Sequence, residues 1–328
     1  MDEFELISQY FDRPAEDSRI VLAGGDDCAL VNVPQGKELA FSIDTCIPGR
    51  HFFPEDQPEN IASRAFRTAL SDLAAMGASP LCFTLSLSIP ECDSAWLGAF
   101  SARLHEEAEM FSCPLVGGDT VRGPLCITLQ VQGLVPKGKA ITRAGAKPGD
   151  IVYVSGRLGD AALALRCLQG EVSFSTQKEQ DEISRAYYTP QPHIALGERL
   201  SGVASAAIDV SDGFIADLGH ICRLSKVGAE LDVSALPISA IFSDYVSEKE
   251  SLQMALYGGD DYQLCFTAPE SQSLAIAQMS DALNIPLTPV GHLSENEGIR
   301  AQSMNKSVAP FIDAVSQEFR RDGYKHFD

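Results

Sequence analysis

Aspartates recur along this chain of 328 residues beside glycine or at the end of an apolar run. The segments are Gly24-Gly25-Asp26-Asp27, Phe41-Ser42-Ile43-Asp44-Thr45, Gly117-Gly118-Asp119-Thr120, Ile208-Asp209-Val210-Ser211-Asp212-Gly213 and Gly258-Gly259-Asp260-Asp261. Asp72 sits within an apolar helical pattern, between Leu70 and Leu73. A single Gly-Asp pair is an ordinary turn. Repetition of the pattern, with Asp44 and Asp209 closing strongly apolar runs, points further. A buried carboxylate without a partner is costly, so such positions call for a cation or hydrogen-bond donors. Short, rigid carboxylates beside glycine suit a hard, oxygen-seeking cation, and Mg²⁺ held by aspartate most often accompanies a phosphate substrate.

The elements that must position these acids alternate between strand and helix. Strands are expected at 38–44, 81–89, 114–116, 125–135, 151–155, 206–210, 262–267 and 287–293. Helices are expected at 60–76, 93–111, 158–168, 213–224 and 271–283. In the first of these, Ile61, Ala65, Phe66, Ala69, Leu70, Leu73 and Met76 repeat close to the helical period. Gly77 and Pro80 follow as stop signals. The stretch from Pro136 to Asp150 is rich in Gly, Lys and Ala, and the alternation restarts after it. The expectation is an α/β protein of two layered domains, 1–137 and 138–328. Ligands in such folds gather at strand ends. The acidic faces at Glu106-Glu107 and at 179–182 read as solvated helix surface.

Composition excludes several classes. Forty-five acids against 25 bases give a formal charge of −20, which repels nucleic-acid backbones and anionic lipids. No apolar run approaches the roughly 18 residues of a membrane span, and the acidic start lacks the pattern of a secretory signal. The nine cysteines are scattered with no CxxC pair, as expected of buried thiols in the cytoplasm and not of a disulfide frame or zinc site. The phosphate loops of other enzymes are absent: no GxxxxGK[ST], no GxGxxG after a strand, no protein-kinase set.

In order and spacing, the segments resemble the thiamine-monophosphate kinase family, within the superfamily of aminoimidazole ribonucleotide synthetase. The resemblance rests on Gly25-Asp26-Asp27-Cys28-Ala29, Asp44-Thr45 followed by Gly49-Arg50-His51-Phe52, and the run from Leu70 to Ala78. It continues through Gly117-Gly118-Asp119-Thr120, Asp209-Val210-Ser211-Asp212-Gly213, Gly258-Gly259-Asp260-Asp261-Tyr262 and the terminal Gly323-Tyr324-Lys325-His326-Phe327. It implies phosphorylation of thiamine monophosphate by ATP, several Mg²⁺ ions, and a homodimer formed by pairing of the N-terminal sheets. The N-terminal domain would bind ATP and Mg²⁺, and the C-terminal α/β domain would close the cleft. Carried over by motif, Asp27, Ser42, Ile43, Asp44, Asp72, Asp119, Asp209 and Asp212 would hold metal, with Ile43 acting through its backbone. Gly118, Asp119, Arg143 and Ser211 would contact ATP, and His51, Asp260 and Tyr324 would face thiamine monophosphate. Two positions depart from the family pattern: Asp260 stands where Glu is common, and Ile43 where Thr is common.

The acceptor implied is itself a phosphate monoester, mostly a dianion near pH 7 because its second pKa is about 6. Direct transfer therefore needs no general base, and the demand falls on charge neutralisation and in-line placement. Two alternatives stay open on the residues alone: a related ligase or synthetase acting through an acyl- or iminophosphate, and a non-catalytic nucleotide-binding regulator.

Overall fold

The structure, a computed structural model, describes residues 3–302, with side chains from residue 5. The chain divides into two compact units. The first comprises Met1–Leu73 and Ala78–Ala140; the second runs from Ile141 onward and takes in Ala74–Gly77.

In the first unit, α1 (Glu3–Tyr10) precedes a short hairpin of β1 (Ile20–Leu22) and β2 (Leu30–Val31). There follow β3 (Lys37–Cys46), α2 (Pro58–Ala75), β4 (Ser79–Ile89), α3 (Ser94–Met110), β5 (Leu115–Arg122) and β6 (Cys126–Pro136). The four longer strands form one sheet in the order β3-β6-β4-β5, antiparallel except for the parallel β4–β5 pair. Pro58 and Glu59 suit the start of α2, where a missing N–H costs nothing and an acid complements the helix dipole. Asp93 caps α3, its carboxylate accepting from the N–H groups of Ala95 and Trp96. From Ile61 to Ala75 every residue of α2 is buried except Asp72.

Of the solvated face expected at 106–107, Glu106 is exposed but Glu107 is not. Glu107 is fully buried and paired with Arg67 (2.9 Å) and Arg103 (2.7 Å). Because α2 is buried on all sides, its Arg67 is buried too, and the charge has to be met by a carboxylate from α3.

The second unit holds a six-stranded sheet in the order β12-β9-β11-β7-β10-β8. Its strands are β7 (Ile151–Ser155), β8 (Ala206–Asp209), β9 (Gly228–Asp232), β10 (Leu264–Ala268), β11 (Leu287–Ser294) and β12 (Gly298–Gln302). Pairing is antiparallel apart from β12–β9. The helices are α4 (Asp160–Leu168), α5 (Gln177–Tyr188), α6 (Ile194–Leu200), α7 (Phe214–Ser225), α8 (Phe242–Tyr245), α9 (Glu248–Tyr257) and α10 (Ser273–Leu283). One core joins Val154, Ile208 and Cys265 of the sheet to Phe214, Leu218 and Ile221 of α7 and to Leu252 and Leu256 of α9. A second joins Tyr153 and Phe266 to Leu196 and Leu200 of α6 and Ile276 of α10. Among the described residues no helix is long and apolar enough to cross a membrane.

Two aspartates, Asp44 expected at a strand end and Asp119 expected beyond one in a Gly-Asp segment, lie inside strands. Asp44 is followed in the ladder by Thr45 and Cys46, and Asp119 lies within β5 opposite Ser86. Gly118 explains the second case: a Cβ there would stand 1.9 Å from the Leu85 carbonyl oxygen of β4. Glycine in this segment permits close strand contact and does not mark a turn. Gly118→Ala must separate β4 from β5. It should therefore cost more than about 2 kcal/mol of stability in urea unfolding of the metal-free chain; an unchanged midpoint would contradict this packing.

Candidate functional site

In the first unit the acids meet between β3 and α2. Alternation along β3 puts Ser42 and Asp44 on the half-buried face and Ile43, 60% exposed, on the other. The Ile43 side chain thus points away from both neighbours. Ser42 Oγ donates to Asp72 Oδ2 at 2.5 Å. Burial first, then the negative charge of Asp72, raises the Asp44 carboxyl to about 6 from an ordinary 3.8. No basic group offsets the shift. Asp72 is the single opening in an otherwise buried stretch of α2, so the helix presents it to β3.

Asp26 and Asp27 lie in the exposed connection between β1 and β2, where the Asp27 N–H donates to Asp26 Oδ1. The hairpin carrying them is anchored by Ile20, Ala23, Ala29 and Val31 against Leu81, Cys82, Val116 and Leu134. Asp119 and Gly118 are exposed on edge strand β5. His51 is half-buried in the turn after β3. Its Nδ1 accepts the Ile47 N–H at 3.2 Å, and its carbonyl accepts from Arg64 Nε at 2.5 Å. With Nδ1 an acceptor, the neutral ring carries its proton on Nε2.

In the second unit, Asp209 closes β8 and is buried, and Asp212 follows in the link to α7. Asp217, on α7, was not singled out by sequence pattern. Its Oδ2 accepts the N–H groups of Ser211, Asp212 and Gly213. Burial, followed by the charges of Asp209 and Asp212, pushes its carboxyl up to about 8 despite the backbone donors. The signal available in the sequence was a carboxylate four residues after Gly213, between the core residues Ile215 and Leu218 of α7.

Asp260 sits in a tightly bent segment. Gly259, Asp260 and Tyr262 have φ of +67°, +61° and +49°, a left-handed region that Asp tolerates and Tyr adopts at a cost. A Cβ on Gly259 would lie 2.6 Å from the Ser211 carbonyl oxygen. The bend is tied to the β8–α7 link by Asp260 N–H to Ser211 O and Tyr262 N–H to Val210 O, both 2.8 Å. Tyr262 Oη donates to Asp260 Oδ1 at 3.2 Å. Asp261 is buried and accepts from Gly159 and Ala161 at the start of α4. Arg143 is exposed near the start of the unit, its carbonyl accepting from Ser225 Oγ. Tyr324 and the terminal motif around it lie outside the described residues.

The structure thus brings together Ser42, Asp44 and Asp72 in one unit, and Asp209, Asp212, Asp217 and the Asp260 bend in the other. Among the described residues, no three His, Cys, Asp or Glu side chains converge closely enough to hold a metal ion unaided. In kind the donors fit a hard cation: carboxylate and hydroxyl oxygens, with a raised carboxyl in each group that a bound cation would bring back down.

The family model for the AIR synthase related protein N-terminal domain matches residues 25–135. The chain is 44% identical over 299 residues to the thiamine-monophosphate kinase of Escherichia coli (strain K12), covering 90% of this chain and 92% of that one. It is similar to the crystal structure of the thiamine-monophosphate kinase from Stenotrophomonas maltophilia K279a, with a TM-score of 0.85 and 39% identity, covering 92% of this chain and 97% of that one. It is also similar to AaThiL complexed with AMPPCP and TMP, with a TM-score of 0.76 and 26% identity, covering 90% and 89%.

The Asp44 carboxyl contributes to the pH response of the metal-free chain. A pKa raised on folding means the folded state holds the proton more tightly. Its contribution is fully present below 3.8 and is lost as pH rises through about 6. Asp44→Asn removes that loss. Metal-free Asp44→Asn should be more stable than the parent by up to about 3 kcal/mol at pH 7 and nearly equal to it at pH 4 in urea unfolding. A variant less stable than the parent at pH 7 would mean that Asp44 has a stabilising partner.

Proposed function

The chain belongs to the thiamine-monophosphate kinase family, and from that membership we propose that it transfers the terminal phosphoryl group of ATP to thiamine monophosphate, giving thiamine diphosphate. What carries this reading in the geometry is the group of Ser42, Asp44 and Asp72, a half-buried acid pair between β3 and α2, with no basic group offsetting the raised Asp44 carboxyl. Such a group is built for a cation that accompanies phosphates and not for acid–base catalysis.

The residues proposed to hold Mg²⁺ are Asp27, Asp44, Asp72, Asp119, Asp209 and Asp212, with the Ser42 hydroxyl and the Ile43 backbone. When bound, the metal supplies neutralisation of phosphate charge. The chain's own residues do the rest. Gly118, Asp119, Arg143 and Ser211 are proposed to place ATP, Arg143 by hydrogen bonds to phosphate oxygens. His51, with its proton on Nε2, is suited to donate to an anionic acceptor. Asp260 and Tyr324 are proposed to place the thiamine moiety. The Asp260 carboxylate is shorter than the Glu common in the family, and its left-handed backbone and the Tyr262 hydrogen bond fix where it stands. The acceptor phosphate attacks as its dianion, so no side chain has to take a proton from it.

Assembly as a homodimer through the N-terminal sheets is part of the proposal. It is supported by β3, an edge strand whose outward face exposes Leu39, Phe41 and Ile43. A cytoplasmic location accords with nine cysteines that form no disulfide.

The direct test is formation of thiamine diphosphate from ATP and thiamine monophosphate by the purified chain, with thiamine as a competing acceptor. Thiamine should be poor, since its hydroxyl needs a base and lies one phosphate short of the in-line position. Asp260→Ala should raise the KM for thiamine monophosphate about ten- to a hundredfold through loss of a charged hydrogen bond, and leave the KM for ATP nearly unchanged. Equal use of thiamine and thiamine monophosphate would contradict the base-free transfer. Turnover only with an aminoimidazole precursor or selenide would contradict the substrate.

A further inference from the structure

The link from β8 into α7 turns three successive backbone N–H groups onto one atom. Ser211, Asp212 and Gly213 donate to Oδ2 of Asp217 at 3.0, 3.0 and 3.1 Å. Asp217 is buried one turn into α7, and no role in binding metal or substrate has been given to it. Successive N–H groups at the positive end of a helix form a concave seat for anions, commonly a phosphate. Here a carboxylate from the same helix already occupies that seat.

The arrangement recurs at α4. Asp261, also buried, accepts from the N–H groups of Gly159 at 2.8 Å and Ala161 at 3.4 Å. Both helices follow a strand of the six-stranded sheet, α4 after β7 and α7 after β8. At neither helix start are these N–H groups available to a phosphate.

We propose that Asp217 is a positioning residue: it fills the N–H nest of the 211–213 link, so that this segment meets a polyphosphate through cation-holding carboxylates and not through its backbone donors. This rests on the reading above that Asp209 and Asp212 hold a divalent cation. With its N–H groups drawn inward, the link has one fixed course. Its Ser211 carbonyl receives the Asp260 N–H and its Val210 carbonyl the Tyr262 N–H. The same carboxylate therefore also sets the course of the bend that carries Asp260. Without it, the three N–H groups lose their acceptor, the link is free to turn, and a vacant anion seat opens beside Asp212.

The test uses the full chain with Mn²⁺ alone as probe, free Mn²⁺ being read by electron paramagnetic resonance, and inorganic phosphate as a second probe in thermal unfolding. Asp217→Ala should weaken Mn²⁺ binding about tenfold or more, as loss of an outer-shell partner does. It should also gain a phosphate-dependent rise in thermal midpoint that the parent lacks. Asp217→Asn keeps an oxygen for the same three donors and should bind Mn²⁺ close to the parent level. If Asp217→Ala does not fold, Asp217→Ser gives the same two readings. Parent-like Mn²⁺ binding with no phosphate response in the Ala or Ser variant overturns the inference. So does Asp217→Asn losing as much affinity as Ala, since Asp217 would then act through its charge as a ligand. A parent chain that binds no Mn²⁺ overturns the cation reading, and this inference with it.

Discussion

Carboxylates held near one another with too little opposite charge are the constraint on which the rest of the structure depends. Two unit negative charges about 4 Å apart cost up to roughly 4 kcal/mol at an effective dielectric of 20. In each unit a carboxyl is raised, by burial first and by neighbouring acids second. In the first, Asp44 is raised by burial and by Asp72. In the second, Asp217 is raised by burial and by Asp209 and Asp212. Elsewhere the chain balances its buried charge, as where Glu107 meets Arg67 and Arg103. In the candidate acid groups no such base stands beside the raised carboxyls.

The scaffold around these acids is correspondingly stiff. β3 is paired along its whole length with β6, and α2 is buried around its circumference, so Ser42, Asp44 and Asp72 have little freedom to move apart. In the second unit Asp209 ends β8 and Asp217 lies in the first turn of α7, while Asp212 and Asp260 lie on links. Rigidity there comes from hydrogen bonds: three backbone donors onto Asp217, and two from the left-handed bend onto the carbonyls of Val210 and Ser211. The strain at Tyr262 is retained because these bonds over-determine the bend.

Much of the scaffold was legible in the sequence. The apolar period of α2, the strand ending near Asp44 and the helix starting near Asp93 are local patterns, and local patterns are what periodicity detects. The thiamine-monophosphate kinase assignment was legible too, since it rests on the order of short motifs. What escaped depends on partners distant in sequence. Glu107 looks like a surface acid until α2 proves to be buried on every side with Arg67 facing it. Gly118-Asp119 looks like a turn until β4 lies against it and Leu85 leaves no room for a Cβ. Asp217 looks like an ordinary helix residue until the chain before it curls back over its carboxylate. In each case the missing information is what the fold brings alongside.

Proton release on metal binding tests the central claim most directly, that folding crowds these carboxylates to make a cation site. At pH 6, in weakly buffered solution, the Asp44 carboxyl of the metal-free chain is about half protonated, and a cation bound beside it must expel that proton. Titration with Mn²⁺, with bound metal and released protons counted together, should give on the order of half a proton from this group. Asp44→Asn should lose that release. Stoichiometric Mn²⁺ binding at pH 6 with no proton released would contradict the account, because the cation would then be held away from the crowded acids.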